Sequence, residues 1–322
     1  MPSRERPLTL AVSGWEIPAA LNLPASGEPA SAILLIPGSL FSDVNGDYPA
    51  WNLFPHVYAH LARQLSARGH AVYRYAKMGP ATGSVAVDQA ASERVKDWSG
   101  RLVIARAAFA AIDAALARVG ARPARTVLAG HSEGAVVASL LALAEDAAVV
   151  DGVVLLSGPS VGILGIMREQ IGMFVPARDL AAAQADFDAG VGFVRRGEPI
   201  PAVLEGRPSL RGLVGVGLVG QGYLRDCDAT DPAGTAARIT QPVLIVQGGR
   251  DGSVPPHHAE RLRAARGDRP TESLLLPELQ HMYKPVPDGV SEIDAFGLTG
   301  ETDPRVTGGM DDWIRRLAIS RR

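Results

Sequence analysis

The alternation of short apolar runs with segments of helical periodicity constrains the fold of this chain most strongly. Amphipathic patterns run from Leu53 to Leu65 and from Leu102 to Val119. The apolar runs are typical of strands buried on both faces: "SAILLIPGS", "HAVYRYA", "RTVLAG", "DGVVLLSG" and "QPVLIVQGG". Strands that alternate with helices in this way predict an α/β fold, in which helices cover both faces of a mainly parallel sheet.

One of these strand-to-helix junctions carries a serine between two glycines. The strand "RTVLAG" leads into Gly130-His131-Ser132-Glu133-Gly134, and apolar residues then resume at helical spacing. A Gly-x-Ser-x-Gly segment in this context is typical of a tight, strained turn that exposes a serine hydroxyl. The first N–H groups of the following helix, with its positive dipole end, suit a developing oxyanion. The motif alone also occurs by chance, so the interpretation requires partner residues.

A serine hydroxyl becomes a good nucleophile only when a base takes its proton and a third group orients that base. In an open parallel sheet, such partners are expected on loops at the carboxyl ends of later strands. Asp251 follows the apolar run "PVLIVQGG", and His281 follows the run "ESLLLP". Considered without the serine, each would be an ordinary loop residue. The chain order Ser132, Asp251, His281 is the one this architecture requires, so the three are the predicted catalytic residues.

Other histidines are weaker candidates for the base. His257 and His258 follow Asp251 too closely and begin a helix, so we expect them at the surface. His131 adjoins the serine, but the strained turn should direct its side chain away from the hydroxyl. His56 lies near the start of the first predicted helix and is a candidate substrate contact, whereas His60 is expected to be structural.

An oxyanion also needs a second N–H donor besides that of Glu133, the residue after the serine. The third strand ends at Pro37 and Gly38, and the loop that follows can deliver such a donor. The N–H of Ser39 is the predicted donor, with that of Leu40 as the alternative. Leu40 is also a candidate substrate contact.

The alternating pattern stops at Pro159. From about 160 to 237 the sequence offers mostly helical, apolar fragments, including "VGILGIMREQIGMF" and "LRGLVGVGLVGQGYL". We interpret 160–237 as a helical cap inserted into a core domain of residues 1–159 and 238–322. Its apolar residues predict an apolar pocket for the substrate, with Tyr223 as a candidate contact.

These segments together resemble the α/β-hydrolase superfamily, and more closely its bacterial serine esterases with a helical cap. Residues 31–160 and 236–284 carry the resemblance, through the segments "IPGS", "YRYAKMGPATGS", "GHSEG", "PVLIVQGGRDGSVP" and "LQHMY". It implies an eight-stranded, mostly parallel sheet, a two-step acyl-serine mechanism, and no metal or organic cofactor. The chain departs from the family at Ala76, Lys77 and Met78, where such esterases commonly have an acidic residue and a basic-glycine pair. Pro37 also stands where many relatives have histidine.

Charge and composition narrow the choice of partners. With 32 Lys+Arg against 34 Asp+Glu, the net charge is −2, which does not favour nucleic acid or an anionic membrane surface. The N-terminal residues lack the apolar run of a secretory signal, and no window is apolar enough for stable membrane insertion. The only cysteine, Cys227, allows no intrachain disulfide. We therefore expect a cytoplasmic protein, and we also consider a homodimer.

The leading hypothesis is a serine hydrolase that cleaves a carboxylic ester of small to medium size and mainly apolar character. A thioesterase, lactonase, amidase or acyltransferase would use the same three residues, so the sequence leaves these alternatives open. A peroxidase-like activity of the same residues would be a side reaction. A non-catalytic ligand-binding protein on this scaffold would usually have lost one of the three residues, and all three are present.

Overall fold

The chain folds around one sheet that lies between layers of helices. The structure, a computed structural model, describes residues 4–79, 81–144, 149–210, 213 and 220–317. Within these residues the sheet has nine strands: β1 Arg4–Val12, β2 Trp15–Leu23, β3 Ala32–Ile36, β4 Ala71–Tyr75, β5 Val85–Ala86, β6 Thr126–His131, β7 Gly152–Leu156, β8 Val243–Gly248 and β9 Thr271–Leu276.

The sheet is parallel except at one edge. Its order is β1-β2-β4-β3-β6-β7-β8-β9, and β5 pairs with β2 beside this path. Strand β2 is antiparallel to β1, β4 and β5, whereas every pair from β4 to β9 along the sheet is parallel. The predicted α/β fold with its mostly parallel eight-stranded sheet is confirmed. The two-residue β5 is an addition that the sequence did not indicate.

Helices of very different length occur among the described residues. They are α1 Val57–Ala67, α2 Gln89–Glu93, α3 Trp98–Ala117, α4 Glu133–Ala142, α5 Ile163–Gln170, α6 Ala177–Arg196, α7 Ala202–Glu205, α8 Gly220–Asp228, α9 Pro232–Arg238, α10 His257–Arg266, α11 Glu292–Ala295 and α12 Pro304–Arg316. Asp97 caps α3, because its carboxylate accepts the Gly100 N–H at 3.0 Å. None of these helices combines the length and the apolarity needed to cross a membrane.

Each face of the sheet has its own hydrophobic core, because successive strand residues point to opposite faces. In β3, Leu34 and Ile36 pack into the core under α3 and α4, whereas Ile33 and Leu35 pack into the core under α1 and α12. All five residues of β3 are buried. This two-sided burial explains why the central strands are almost uninterrupted apolar runs in the sequence.

The helices of residues 163–228, here called the helical segment, pack around a third hydrophobic cluster. Phe187 and Val194 of α6 contribute to it, together with Leu164 of α5 and Leu224 of α8. The segment lies within the range 160–237 that the sequence suggests as a cap, and the division of the chain at 160 and 237 stays a prediction. Much of the apolar fragment "LRGLVGVGLVGQGYL" falls on residues 211–212 and 214–219, outside the described residues.

Candidate active site

Ser132 lies at the sharp turn between β6 and α4. Its backbone has φ 56° and ψ −126°, a strained conformation for a residue with a side chain. The flanking glycines are required by close backbone contacts. A Cβ at Gly130 would lie 2.0 Å from the Gly134 oxygen, and one at Gly134 would lie 2.4 Å from the Ile36 oxygen. The predicted turn is therefore present, and it is tight enough to exclude side chains at both glycines.

Asp251 and His281 meet at the carboxyl ends of β8 and β9. The His281 Nδ1 atom lies 2.8 Å from Asp251 Oδ2, and only 6% and 2% of the two residues are exposed. The other oxygen of Asp251 accepts the Val254 N–H at 2.8 Å, which fixes the carboxylate. Because a carboxylate accepts, the hydrogen bond places the ring proton of His281 on Nδ1. Its Nε2 atom is left with a lone pair that can take a proton.

The rings of His131 and His281 lie side by side, with centroids 4.6 Å apart. His131 adjoins Ser132 in the chain, so this contact brings His281 next to the serine turn. Within the described residues, the Ser132 hydroxyl makes no hydrogen bond to the His281 ring. In enzymes without bound substrate, the hydrogen bonds between catalytic groups are often long, and they shorten when the substrate binds.

A chain of hydrogen bonds runs from the loop after β3 to His281. The Gly38 N–H donates to the Tyr58 hydroxyl at 2.8 Å, and that hydroxyl lies 3.2 Å from His131 Nδ1. The His131 Nε2–H donates to the His281 carbonyl at 3.0 Å. Burial, together with the neighbouring His281, lowers the pKa of His131 to about 3, so this ring is neutral at pH 7. No local sequence pattern indicates that Tyr58 joins these elements.

The two predicted oxyanion donors are available in this structure. The Gly38 N–H already donates to the Tyr58 hydroxyl. Among the described residues, neither the Ser39 N–H nor the Glu133 N–H donates a hydrogen bond. The Glu133 N–H is the first of α4, where a helix leaves N–H groups without a partner. Leu40 follows with φ 63° and is 45% exposed.

The Glu133 side chain is the centre of a buried charged cluster, here called the Glu133 cluster. Its Oε1 atom lies 3.3 Å from Lys77 Nζ, 3.1 Å from Arg101 Nε and 3.0 Å from the Tyr223 hydroxyl. Burial raises the pKa of the Glu133 carboxyl, but Lys77 and Arg101 outweigh it and hold the pKa below its usual value. Burial and Arg101 lower the pKa of Lys77 to about 8, against the opposing effect of Glu133.

Arg101 connects this cluster to the loop after β3. Its Nη2 atom donates to the Pro37 carbonyl at 2.6 Å and to the Gly38 carbonyl at 3.3 Å. The side chain comes from α3 and is almost fully buried. One arginine thus contacts both the residue after the serine and the loop that carries Ser39. Sequence reasoning missed Arg101, since nothing in the local pattern of α3 distinguishes it from a surface arginine.

The candidate substrate contacts occupy different surroundings. Tyr223 is buried, with its ring at 5.8 Å from that of Trp98 in an edge contact, and its hydroxyl binds Glu133. His56 is half exposed and its Nδ1 lies 2.7 Å from Asp47 Oδ2. Leu40 is exposed in the loop after β3. As substrate contacts, Leu40, His56 and Tyr223 stay predictions.

The expectation that His258 lies at the surface is wrong. Its side chain is fully buried, with Nδ1 at 2.7 Å from the Ser160 hydroxyl and Nε2 at 3.1 Å from Glu169 Oε2. His257, its neighbour, is 40% exposed. The sequence position at a helix start did suggest exposure. It could not show that Ser160 and the end of α5 cover this helix start.

Comparisons with known proteins agree with the fold. The sequence model of the Alpha/beta hydrolase family matches residues 33–290. Esterase EstD of Thermotoga maritima is 25% identical over 308 residues, which are 92% of this chain but only 65% of that relative's length. Est1E from Butyrivibrio proteoclasticus has a TM-score of 0.57 at 17% identity, covering 96% of this chain and 97% of that one. Proline iminopeptidase of Mycobacterium smegmatis has a TM-score of 0.57 at 14% identity, covering 97% and 98%. From the family match over most of its length, we conclude that this chain belongs to the alpha/beta hydrolase family.

Proposed function

We propose that the chain is a serine hydrolase that cleaves carboxylic esters, with Ser132 as nucleophile, His281 as base and Asp251 as the group that orients the base. The observation that carries the proposal is the strained Ser132 turn beside the His281–Asp251 hydrogen bond of 2.8 Å. Burial of the pair supports it as well, because the imidazolium that forms during the reaction then faces an unscreened carboxylate.

In the first half of the proposed reaction, Ser132 Oγ attacks the ester carbonyl and His281 Nε2 takes the hydroxyl proton. The resulting imidazolium keeps its Nδ1–H on Asp251, which stabilises the positive charge without itself taking the proton. The tetrahedral intermediate then collapses, the C–O bond of the alcohol breaks, and His281 returns the proton to the leaving alcohol. Ser132 is left as an acyl ester.

In the second half, His281 Nε2 removes a proton from water as the water attacks the acyl carbonyl. Collapse of the second intermediate releases the carboxylic acid and returns the proton to Ser132 Oγ. The negative oxygen of both intermediates would lie between the N–H groups of Glu133 and Ser39. Two observations support this assignment: both groups lack another acceptor in the described part of the chain, and Arg101 holds the loop that carries Ser39.

The proposed preference for esters rests on the name of a relative and on the apolar character of the helical segment, and not on the geometry of the catalytic residues. The relative from Thermotoga maritima is named an esterase. We propose a small to medium, mainly apolar substrate, because the helical segment presents many apolar residues. Thioester, lactone and amide hydrolysis or acyl transfer would use the same steps with another leaving group or acceptor, and a panel of acyl donors would rank them.

Hydrolysis of short p-nitrophenyl esters tests the proposal. Ser132→Ala should lower kcat by at least about 10⁴-fold, since the nucleophile is removed. Ser99→Ala is the matched control, because Ser99 is an exposed serine at the start of α3. Equal rates for Ser132→Ala and the wild type would refute the proposed function.

A further inference from the structure

Three metal-ligating side chains converge where the end of α5 meets the start of α10. Glu169 Oε2 lies 3.2 Å from His257 Nε2 and 3.1 Å from His258 Nε2. All three donor atoms lie within 4.8 Å of one another. Because α5 belongs to the helical segment and α10 to the core, the cluster joins two parts of the molecule that are far apart in sequence.

The spacing fits a tetrahedral metal centre. A Zn²⁺ ion binds histidine nitrogen and carboxylate oxygen at about 2.0–2.1 Å, so two tetrahedral ligands are separated by about 3.3 Å. Both oxygen-to-nitrogen distances in the cluster are close to this value. Two imidazole nitrogens and one carboxylate oxygen are a donor set suited to Zn²⁺ and other first-row transition metals. Ca²⁺ and Mg²⁺ prefer oxygen ligands alone.

The surroundings of the two rings support metal binding. The second nitrogen of His258 lies 2.7 Å from the Ser160 hydroxyl, which can accept its proton and thereby free Nε2 for a metal. With the proton on Nδ1, His258 would lose the longer hydrogen bond of 3.2 Å that this nitrogen accepts from the Ser160 N–H. Among the described residues, His257 Nε2 is buried and has no hydrogen-bond partner in line with it. The side chains of Glu169 and His257 are 29% and 40% exposed, so the cluster lies close to the protein surface.

We propose that Glu169, His257 and His258 bind one divalent transition-metal cation, Zn²⁺ or a chemically similar ion, with a water molecule as fourth ligand. The ion would fix the helical segment to the core. The neighbouring Gln170 already donates to the Ser253 carbonyl at 2.9 Å, in the loop that holds Asp251. The site is separate from the serine chemistry and does not depend on the proposed function. It departs from the family resemblance, which implies no metal.

Calorimetric titration of the EDTA-treated, dialysed full chain with Zn²⁺ tests the site. We expect one ion per chain, and at free Zn²⁺ about 100 times Kd we expect the Tm to rise by about 4 °C. Glu169→Gln and His257→Ala should each weaken binding by at least about 100-fold. Both side chains are partly exposed, and circular dichroism shows whether the variants keep the fold.

Glu260→Gln is the matched control, because Glu260 is an exposed carboxylate on the same helix but outside the cluster. It should bind Zn²⁺ as the wild type does. A Co²⁺ titration adds a second readout, since a four-coordinate site gives an intense visible spectrum and a six-coordinate one a weak spectrum. Absence of binding to the wild type, or equal binding by all the variants, would show that the three side chains form only a hydrogen-bonded cluster and would overturn the proposal.

Discussion

Neutralising Glu133 should destabilise the fold far more than removing Lys77, one of its two cationic partners. The Glu133 carboxylate lies 3.3 Å from Lys77 Nζ and 3.1 Å from Arg101 Nε, and all three side chains are buried. At an effective dielectric constant of about 20, each pair attracts with about 5 kcal/mol before the cost of desolvation is subtracted. Measurements on buried pairs that lose one partner give a net loss of about 3–5 kcal/mol.

The two substitutions leave different charges behind. In Glu133→Gln, Lys77 and Arg101 remain buried without a carboxylate. Lys77 can release its proton, because its pKa is already lowered to about 8, but the Arg101 guanidinium stays charged. We expect a loss of about 3–5 kcal/mol in the free energy of unfolding. In Lys77→Met, Glu133 keeps Arg101 and Tyr223, and the cost of burying an ammonium group disappears. The expected loss is below about 2 kcal/mol.

Urea unfolding at pH 7, followed by tryptophan fluorescence, measures both losses. The control is Glu198→Gln, which removes a carboxylate from an exposed pair with Arg196 and should leave the midpoint close to that of the wild type. A loss within about 1 kcal/mol of zero for Glu133→Gln, or equal losses for Glu133→Gln and Lys77→Met, would mean that the buried carboxylate between two cations does not stabilise this region.

Three further predictions concern the serine turn and its surroundings. Asp251→Asn should lower kcat on p-nitrophenyl esters by about 10⁴-fold in steady-state assays, because the amide no longer holds the required tautomer of His281. Between pH 8 and pH 10.5, the free energy of unfolding of the wild type should rise by up to about 3 kcal/mol relative to that of Lys77→Met, as measured by urea unfolding. In that pH range Lys77 keeps its proton in the unfolded chain but has lost it in the folded protein, so stability rises with pH. Ser132→Gly should be more stable than Ser132→Ala by about 1–2 kcal/mol in the same assay, because glycine relieves the strain of φ 56°.

Each of these three predictions can be contradicted by a specific result. An unchanged kcat in Asp251→Asn would remove that carboxylate from the mechanism. A stability difference between wild type and Lys77→Met that is flat with pH would mean that the lysine pKa is not lowered by burial. Equal stabilities of the glycine and alanine variants at Ser132 would mean that the turn stores no strain.

The sequence predicted the fold because its signals are local. Each central strand is an apolar run, and each helix that follows shows its own periodicity, so the alternation alone indicates a parallel sheet. The tight turn at Ser132 is similarly predictable, since its glycines lie within two residues of the serine. Chain order and strand ends also pointed to Asp251 and His281, which the structure brings within hydrogen-bonding distance.

The polar contacts around the turn could not be predicted, because they join residues that are distant in sequence. Arg101 is 64 residues from Pro37 and 63 residues from Gly38, and Tyr58 is 73 residues from His131. No local pattern encodes such pairs. The error at His258 has the same origin, since its partner Glu169 is 89 residues away and belongs to a different helix.

If Ser132 forms a covalent acyl intermediate, a fluorophosphonate should label the same residue. The label should add to the tryptic peptide of residues 126–168, and fragmentation should locate it on Ser132 rather than on the other serines of that peptide. The adduct should be absent from Ser132→Ala and retained in Ser99→Ala. No adduct on the wild-type protein, or an adduct that persists in Ser132→Ala, would show that Ser132 is not the nucleophile.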